Sequence, residues 1–545
     1  MRAPPRPLLP IAGLIAALAA GPGFAQGTPL AGNRYEDLVA LFDDWRSFQR
    51  PVFRDGVPDY TPAAMRAQHQ RLPEFQRRLA AIDPSAWPVT QQVDYHLVRA
   101  EMNGLDFDHR VMRPWSRMPG FYKVVLGSQT DVPAREGSVM HGAIELWTYD
   151  MPLDAQREAE LRARIQAIPA ILAQAKGNLT EDARDLWFTG IRFKQSESRV
   201  LTSFAARAAA HHPELAQDAE RARAAVDDFR TWLEAEYPSR QGRSGIGVEN
   251  YDWHLKNVQL VPHTWADQVA IVQRELDRSW AYLQLAENRN RSVPQPQPVA
   301  TQAEYEQRYR QAVTDFIAFL DTAQIMTVED YAEPALLARE GRFSPPPWEF
   351  FSEVNNRDLR PMRAHGTHWF DLARLEQEQH ASPIRRVPAL YNLWAYRAEG
   401  LATGFEEMVM EAGYLDEPRV RELVWILLAQ RAARAMAELR MHSNEFTLQD
   451  AVDYAVKWTP RGWLAVDGST VWGEQALYLE QPAYGTSYVV GKVDIENIIT
   501  ERARQLGSRF NLRSFMDGFH ASGLIPLSLI RWEMTGLDDQ IRALQ

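Results

Sequence analysis

Apolar residues recur every three or four positions through most of the 545 residues, and this spacing constrains the fold more than any other feature. Such spacing is typical of amphipathic helices that pack one face against a core. Clear examples are the segments 154–175, 263–288, 301–322 and 416–440. Strand patterns are few and short, around 123–126 and 462–466. The sequence therefore predicts an all-α protein with minor short β pieces.

Two helix starts and two proline-rich connectors organise the chain. Asp416, ahead of Glu417-Pro418, is a predicted N-cap, and Thr447 with Asp450 three residues later forms a predicted capping box. The connectors at 292–298 and 345–347 are too rich in proline to be helical. We therefore divide the chain into an N-terminal helical region, 28–290, and a C-terminal helical region, 300–545.

The first 25 residues have the pattern of a secretory signal peptide. Arg2 and Arg6 precede an apolar run from Leu8 to Ala20, and Gly23-Phe24-Ala25 is similar to a signal-peptidase site. The run is shorter than the roughly 20 residues needed to cross a bilayer. We expect residues 1–25 to be cleaved, leaving a periplasmic or secreted protein with no membrane attachment.

Composition excludes several classes of function. The chain has no cysteine, which excludes disulfides, thiolate metal ligands and a lipid-modified N-terminal cysteine. Its formal net charge is −11, and a surface of that sign repels phosphate backbones, so nucleic acid is not an expected partner. A G-x-S-x-G elbow and a glycine-rich phosphate loop are both absent from the sequence, which argues against a serine hydrolase and a nucleotide-binding protein.

Side chains that could bind a metal concentrate between residues 361 and 413. His365 and His368 are three positions apart, as are His368 and Asp371, so either pair would share one face of a helix. Imidazole and carboxylate together are typical zinc ligands, and a catalytic zinc site takes three from the protein. Glu399 could supply the third from a second helix. In the alternative, structural interpretation, a buried Glu399 pairs with arginine or histidine.

Two other residues could belong to a hydrolytic site. Glu438 and His442 are four positions apart on a predicted helix, a spacing that lets a carboxylate orient an imidazole. Tyr488 lies between two glycines near a helix start, where its phenol could donate to a developing oxyanion. Alternatively, Glu438 and His442 form an ordinary pair on the protein surface, and Tyr488 packs in the core.

Three further features concern packing and the cleft. Gly400 and Gly404 lie one turn apart and predict a close contact between two helices. The stretches 132–137 and 251–256 combine charged and hydrophobic residues near probable loop ends, and they could line a substrate cleft. Helix capping and ordinary packing are the alternatives for both stretches.

These segments together resemble the bacterial domain-of-unknown-function 885 family, which groups exported helical proteins related to zinc metallopeptidases. The similarity is strongest from about 397 to 534, whereas the N-terminal half is similar only in being helical. The segments match the family's E-G-W-A, G-I-H, S-Y-x-x-G, L-G, F-D-L-R-x-F and L-P-L patterns in order: 399–402, 441–442, 487–491, 506–507, 510–515 and 524–527. The resemblance implies a large multi-helix, zincin-like peptidase body with a central cleft.

The family's zinc signature is H-E-x-x-P-G-H, followed at a distance by the glutamate of E-G-W. With His365 on the first histidine, Gly366 stands where the catalytic glutamate belongs and Asp371 where the second histidine belongs. In this register the resemblance assigns zinc to His365, Asp371 and Glu399. It also leaves the site without its usual general base, which in this chemistry takes a proton from water on the metal.

Two functions are compatible with that pattern. In the first, the protein is an exported metal-dependent hydrolase of a peptide or other amide bond, with His368 or Glu406 as the base and His442 and Tyr488 stabilising the tetrahedral intermediate. In the alternative, it is a non-catalytic binding protein that keeps the fold and cleft without metal. The alternative requires His365 and Asp371 to lie too far apart to share an ion, or to be satisfied by arginine. In either case the expected partner is a peptide-like or small molecule.

Overall fold

The computed structural model describes residues 33–134 and 138–544, so the predicted signal peptide lies outside the described residues. The described chain is mainly helical, which confirms the all-α prediction. Its N-terminal helices are α1 (Tyr35–Phe48), α2 (Pro62–Ala80), α3 (Val89–Phe107), α4 (Pro114–Arg117), α5 (Ala155–Gln166), α6 (Ile168–Asn178), α7 (Arg184–Ala208), α8 (Pro213–Glu236), α9 (Val248–His254) and α10 (Trp265–Arg289).

The C-terminal helices follow the connector at 292–298. They are α11 (Gln302–Thr322), α12 (Ala332–Leu337), α13 (Phe350–Arg357), α14 (Arg360–His365), α15 (Thr367–Gln377), α16 (Ala395–Glu411), α17 (Pro418–His442), α18 (Leu448–Trp458), α19 (Ser469–Glu480), α20 (Tyr484–Leu506), α21 (Leu512–Ala521), α22 (Leu527–Thr535) and α23 (Asp539–Ala543). None of the helices within the described ranges has the length and apolar character needed to cross a lipid bilayer.

The β structure consists of two pairs of very short strands. β1 (Phe53–Arg54) is antiparallel to β2 (Val57–Pro58), and β3 (Val125–Leu126) is parallel to β4 (Ile144–Glu145). β3 confirms the strand predicted at 123–126. The strand predicted at 462–466 is wrong, because the chain there turns: Arg461 and Gly462 have positive φ angles of 68° and 65°, which extended backbone does not allow.

The helix boundaries also correct two predictions. The segment 154–175 forms α5 and α6 rather than one helix, and Pro169 in the first turn of α6 has no N–H to continue the preceding helix. The N-cap of α17 is Glu417, with Pro418 at the first helical position, so Asp416 lies one residue too early. The predicted capping box at the start of α18 is confirmed.

Helices from both regions of the chain pack around a common centre. α10 of the N-terminal region lies along α17, and α7 contacts α19. α16 and α20 pack closely, and their backbones meet at two glycines. A Cβ on Gly400 would lie 2.5 Å from the carbonyl carbon of Gly491, and one on Gly491 would lie 2.2 Å from the carbonyl oxygen of Tyr396. The close contact predicted at Gly400 is therefore present.

Replacing Gly491 with alanine is expected to lower the free energy of unfolding by about 2–3 kcal/mol, because the added methyl group would collide with backbone that cannot rotate away. Urea denaturation followed by circular dichroism would measure the loss. The matched control is Gly473→Ala in α19, where a Cβ meets no atom within 4 Å and should gain up to about 1 kcal/mol. Equal effects of the two substitutions would contradict the close crossing.

Candidate functional site

His365 and His368 lie on either side of a break between two helices. His365 is the last residue of α14, and α15 begins after Gly366. The two imidazole rings meet edge to face, with centroids 5.1 Å apart. A Cβ on Gly366 would lie 2.7 Å from Leu336 Cδ2 and 2.9 Å from the carbonyl oxygen of Arg363. Position 366, where the resemblance places the catalytic glutamate, has no room for a side chain.

His368 and Glu399 form a buried ion pair. His368 Nε2 lies 3.2 Å from Glu399 Oε2, and the two residues are only 2% and 1% exposed. Burial alone would lower the pKa of His368, but the negative charges of Glu399 and Asp131 raise it to about 9. Burial would likewise raise the pKa of Glu399, but the neighbouring His368 lowers it to about 2. At neutral pH the pair is therefore an imidazolium and a carboxylate.

His365 contacts a second ion pair rather than the first. Arg431 donates two hydrogen bonds to Glu406, each of 2.7 Å. His365 Nδ1 lies 3.1 Å from a guanidinium nitrogen of Arg431 and 3.1 Å from Glu406 Oε1. Burial and the positive charge of Arg431 lower the pKa of His365, so this ring is neutral at neutral pH. Glu406, predicted as a possible base, is held by the guanidinium.

Asp371 is paired with Arg397. The guanidinium donates to Asp371 Oδ2 and, through another nitrogen, to His520 Nδ1 at 2.8 Å. Burial would raise the pKa of Asp371, but Arg397 and His520 hold it well below its usual range. The geometry thus separates Asp371 from the ligand set that the resemblance assigned, and brings His368 into its place.

Among the residues that the structure describes, one group of three side chains could hold a metal ion: His365, His368 and Glu399, whose donor atoms lie within 4.8 Å of one another. The charges around this group oppose a divalent cation. His368 would first have to lose its proton, because only the neutral imidazole binds a metal. The guanidinium of Arg431 also lies against His365. In this arrangement the residues fit zinc poorly.

His442 lies in a different part of the protein. It follows Arg431 by eleven residues on α17, which is about 16 Å along the helix axis. Its Nε2 lies 2.9 Å from the carbonyl oxygen of Tyr478. Glu438 does not orient it, since that carboxylate accepts from the Tyr251 hydroxyl at 3.0 Å and the Thr486 amide at 2.8 Å. Burial raises the pKa of Glu438 to about 8 despite these donors.

Two residues of the site, Tyr484 and Arg431, were not identified from the sequence. Tyr484 donates a hydrogen bond from its hydroxyl to Glu399 Oε1, and Arg431 holds Glu406. The predicted Tyr488 lies one turn after Tyr484, with ring centroids 6.0 Å apart, and its ring contacts the guanidinium of Arg434 at 4.3 Å. The spacing of four between the two tyrosines was the available clue, because it places them on one helix face.

A family model described as "Bacterial protein of unknown function (DUF885)" matches residues 48–340 and 365–534. The chain belongs to this family. The match covers much of the N-terminal half. The similarity of that half to the family is therefore not limited to its helical character, as the sequence had indicated. Its second segment begins at His365, and it leaves out 341–364, which contain four prolines.

Solved structures similar to this DUF885 protein define its fold but not its activity. One is described as "a putative lipoprotein of unknown function from Shewanella oneidensis", with a TM-score of 0.66, 16% identity, and coverage of 92% of this chain and 97% of that chain. Another is described as "the putative lipoprotein from Colwellia psychrerythraea". It has a TM-score of 0.66 and 15% identity, and the match covers 93% of this chain and 99% of that chain. No curated protein matches the chain.

A cavity of about 1060 Å³ reaches Tyr484, the tyrosine of this DUF885 protein that donates to Glu399. Tyr484 lines it, as does Ala395, which precedes Glu399 by about one turn of α16. Ala134 and His254 also line it, so the two stretches predicted to border a cleft both reach it, although 135–137 lie outside the described residues. His365, His368 and Glu399 do not line this cavity.

Proposed function

We propose that this DUF885 protein is an exported, non-catalytic binding protein that keeps the fold and cleft of its family without a metal. The observation that carries the proposal is that each carboxylate given a metal-ligand or base role by the sequence is paired with a protein cation. Glu399 is paired with His368, Glu406 with Arg431 and Asp371 with Arg397. The proposal is supported further because arginine contacts both His365 and Asp371, the two residues that a binding protein was expected to keep apart or hold with arginine.

The balance between buried carboxylates and cationic side chains in the site supports the proposal. Buried carboxylates need compensating charge, which either a metal or cationic side chains can supply. Here the side chains supply it, so a divalent ion would add positive charge next to Arg431 and a protonated His368. Repulsion between charges in a buried site is much stronger than in water.

The packing around Gly366 supports it independently. The resemblance implied a general base at this position, and here Leu336 and the backbone of Arg363 occupy the space beside Gly366. The protein also has a cavity whose volume is close to that of sites that enclose a small molecule. A chain with such a cavity and no side chain at position 366 is better suited to binding a ligand than to cleaving it.

Export is part of the same proposal. It is supported by the signal-like pattern of residues 1–25 and by the lipoprotein descriptions of the two similar structures. This chain has no cysteine to carry a lipid, so we expect release into the periplasm or medium rather than anchoring.

The decisive experiment measures metal and turnover together. The mature protein is purified without chelators, and its metal content is measured by inductively coupled plasma mass spectrometry. We expect much less than one metal ion per chain. It is also expected to leave a peptide and amide library uncleaved, with or without added Zn²⁺. One tightly bound zinc per chain, with amide hydrolysis that a chelator abolishes, would overturn the proposal. Glu399→Gln is the control that should then remove both the zinc and the hydrolysis.

A metal-dependent hydrolase of a peptide or other amide bond is the second candidate. It is favoured by the proximity of His365, His368 and Glu399, and by Glu399 Oε2, which is buried without a well-aligned hydrogen bond. Those three residues would be the zinc ligands. Titration with Co²⁺ separates the candidates, because a d–d absorption band that His368→Ala abolishes would indicate that this group binds metal.

A further inference from the structure

The cavity that Tyr484 lines has an aromatic wall. Its volume exceeds that of a second cavity of about 810 Å³, which Asp371 and Arg397 line. Its lining includes Tyr60, Trp115, Phe121, Tyr391 and Tyr484. These residues come from both halves of the chain, so the cavity forms between the N-terminal and C-terminal regions where they pack together. Aromatic walls bind the apolar part of a ligand and also stabilise a cation held against their faces.

The backbone around the cavity is held in unfavourable conformations. Tyr391, Asn392 and Ala483 line the cavity with positive φ angles of 56°, 52° and 72°. A π-helical turn, Asp108–Met112, continues α3 and also reaches the cavity. Such features persist where the surrounding structure fixes them, and they concentrate at binding sites.

Asp108 in this π-helical turn lines the cavity and is partly buried. Among the residues described, its carboxylate has no hydrogen-bond donor and no cationic partner, and desolvation raises its pKa to about 7. A carboxylate removed from bulk water is normally paired or hydrogen-bonded, because an unpaired one is costly. An unpaired carboxylate facing a cavity is accounted for if a ligand supplies the missing cation.

Tyr391 is fixed beside this carboxylate by a glycine. Its ring lies over Gly104, where a Cβ would come within 2.3 Å of Tyr391 Cδ2. Gly104 precedes Asp108 by four residues along α3 and its continuation, so the two positions share one face. The charge of Asp108 contributes to the raised pKa of both Tyr391 and Tyr60, which places the two phenols within electrostatic reach of the carboxylate.

The cations that line the cavity are not paired with Asp108. Arg157 donates to the carbonyl oxygen of Thr148 at 2.8 Å. Glu480 is paired with Lys123 at 3.2 Å. Arg164 donates to the hydroxyl of Tyr149 and to a backbone carbonyl, both at 3.1 Å. Burial lowers the pKa of both lining histidines, His141 to about 4 and His254 to about 3, so these rings are neutral at neutral pH.

We infer that this cavity binds a ligand through an ammonium group, which Asp108 anchors and Tyr60 and Tyr391 flank. The inference rests on the proposed binding function and names its ligand class. A small free amine and the N-terminal ammonium of a peptide present the same group.

Calorimetric titration of the mature full-length protein with benzylammonium tests the inference. Benzylammonium is expected to bind about tenfold or more tightly than benzyl alcohol, which has nearly the same shape but no charge. Asp108→Asn should weaken benzylammonium binding about tenfold or more and leave benzyl alcohol unchanged. Asp106→Asn, two residues away and bonded to Arg110 outside the cavity, is the matched control and should change neither affinity.

Two further arms complete the design. A Phe-Gly-Gly peptide with a free N-terminus, compared with its N-acetyl form, distinguishes a peptide end from a free amine as the ligand. Asp108→Ser repeats the test with a smaller neutral side chain, and the melting temperature verifies that each variant is folded. Equal benzylammonium affinity in the wild type and either folded Asp108 variant would overturn the inference, as would no benzylammonium binding by the wild type. Peptide hydrolysis would instead overturn the binding-protein proposal and leave the Asp108 result standing.

Discussion

Replacing Arg397 with methionine is expected to lower the free energy of unfolding by about 3–5 kcal/mol, because Asp371 would remain as a buried charge without its main partner. Asp371 is 4% exposed and Arg397 is 1% exposed, so water cannot compensate for the lost guanidinium. Chemical denaturation at neutral pH would measure the effect. This loss of stability is larger than the loss caused by removing one methyl group from a side chain in the core.

The double variant Arg397→Met with Asp371→Leu separates charge from packing. It is expected to recover most of the lost stability, since apolar residues of similar volume can replace a buried ion pair without net cost. The control is Arg374→Met on α15, whose side chain is 24% exposed and lies 3.9 Å from Glu378, and it should change stability by less than about 1 kcal/mol. A double variant as unstable as Arg397→Met would contradict the explanation by charge.

The second large effect concerns pH and the pair of His368 with Glu399. The pKa of His368 is raised from 6.5 to about 9 in the folded protein. The stability contributed by the pair is therefore fully present below pH 6.5 and is lost as the pH rises through about 9. The total loss is about 3 kcal/mol, from the size of the shift. Glu399→Gln is expected to remove that loss, because a neutral partner cannot hold the imidazolium.

Urea denaturation at about pH 6 and about pH 9 measures the difference. The wild type should be less stable at the higher pH, and the variant should be less stable than the wild type mainly at the lower pH. Glu411→Gln, at the exposed end of α16, is the control and should keep the wild-type dependence on pH. If the variant and the wild type lose the same stability between the two pH values, the pair is not ionised as described.

Local patterns in the sequence were sufficient for most of the helices and for grouping His365, His368 and Glu399. The period of the apolar residues predicted α10 and α11 to within about two residues, and the residue types at 447 and 450 predicted a capping box. The reasoning that a buried Glu399 needs a cation or histidine was also sufficient, since the structure supplies His368. These predictions succeeded because they depend on residues close in sequence or on the cost of burying a charge.

The partners within the site could not be predicted in the same way. Arg431 and Glu406 lie on different helices, α17 and α16, and nothing in their spacing distinguishes them from other charged pairs. The alignment with the zinc signature gave Asp371 a metal-binding role, but Arg397 on α16 is packed closely enough to bind it. Tyr484 was missed because its contact with Glu399 depends on the crossing of α16 and α20 at Gly400 and Gly491.

The packing at Gly366 has a consequence for how this protein tolerates substitution. A side chain at that position, glutamate included, would require Leu336 and the junction of α14 and α15 to shift. A single substitution at 366 is therefore expected to lower stability before it can add any chemical group, which makes this position mutationally constrained.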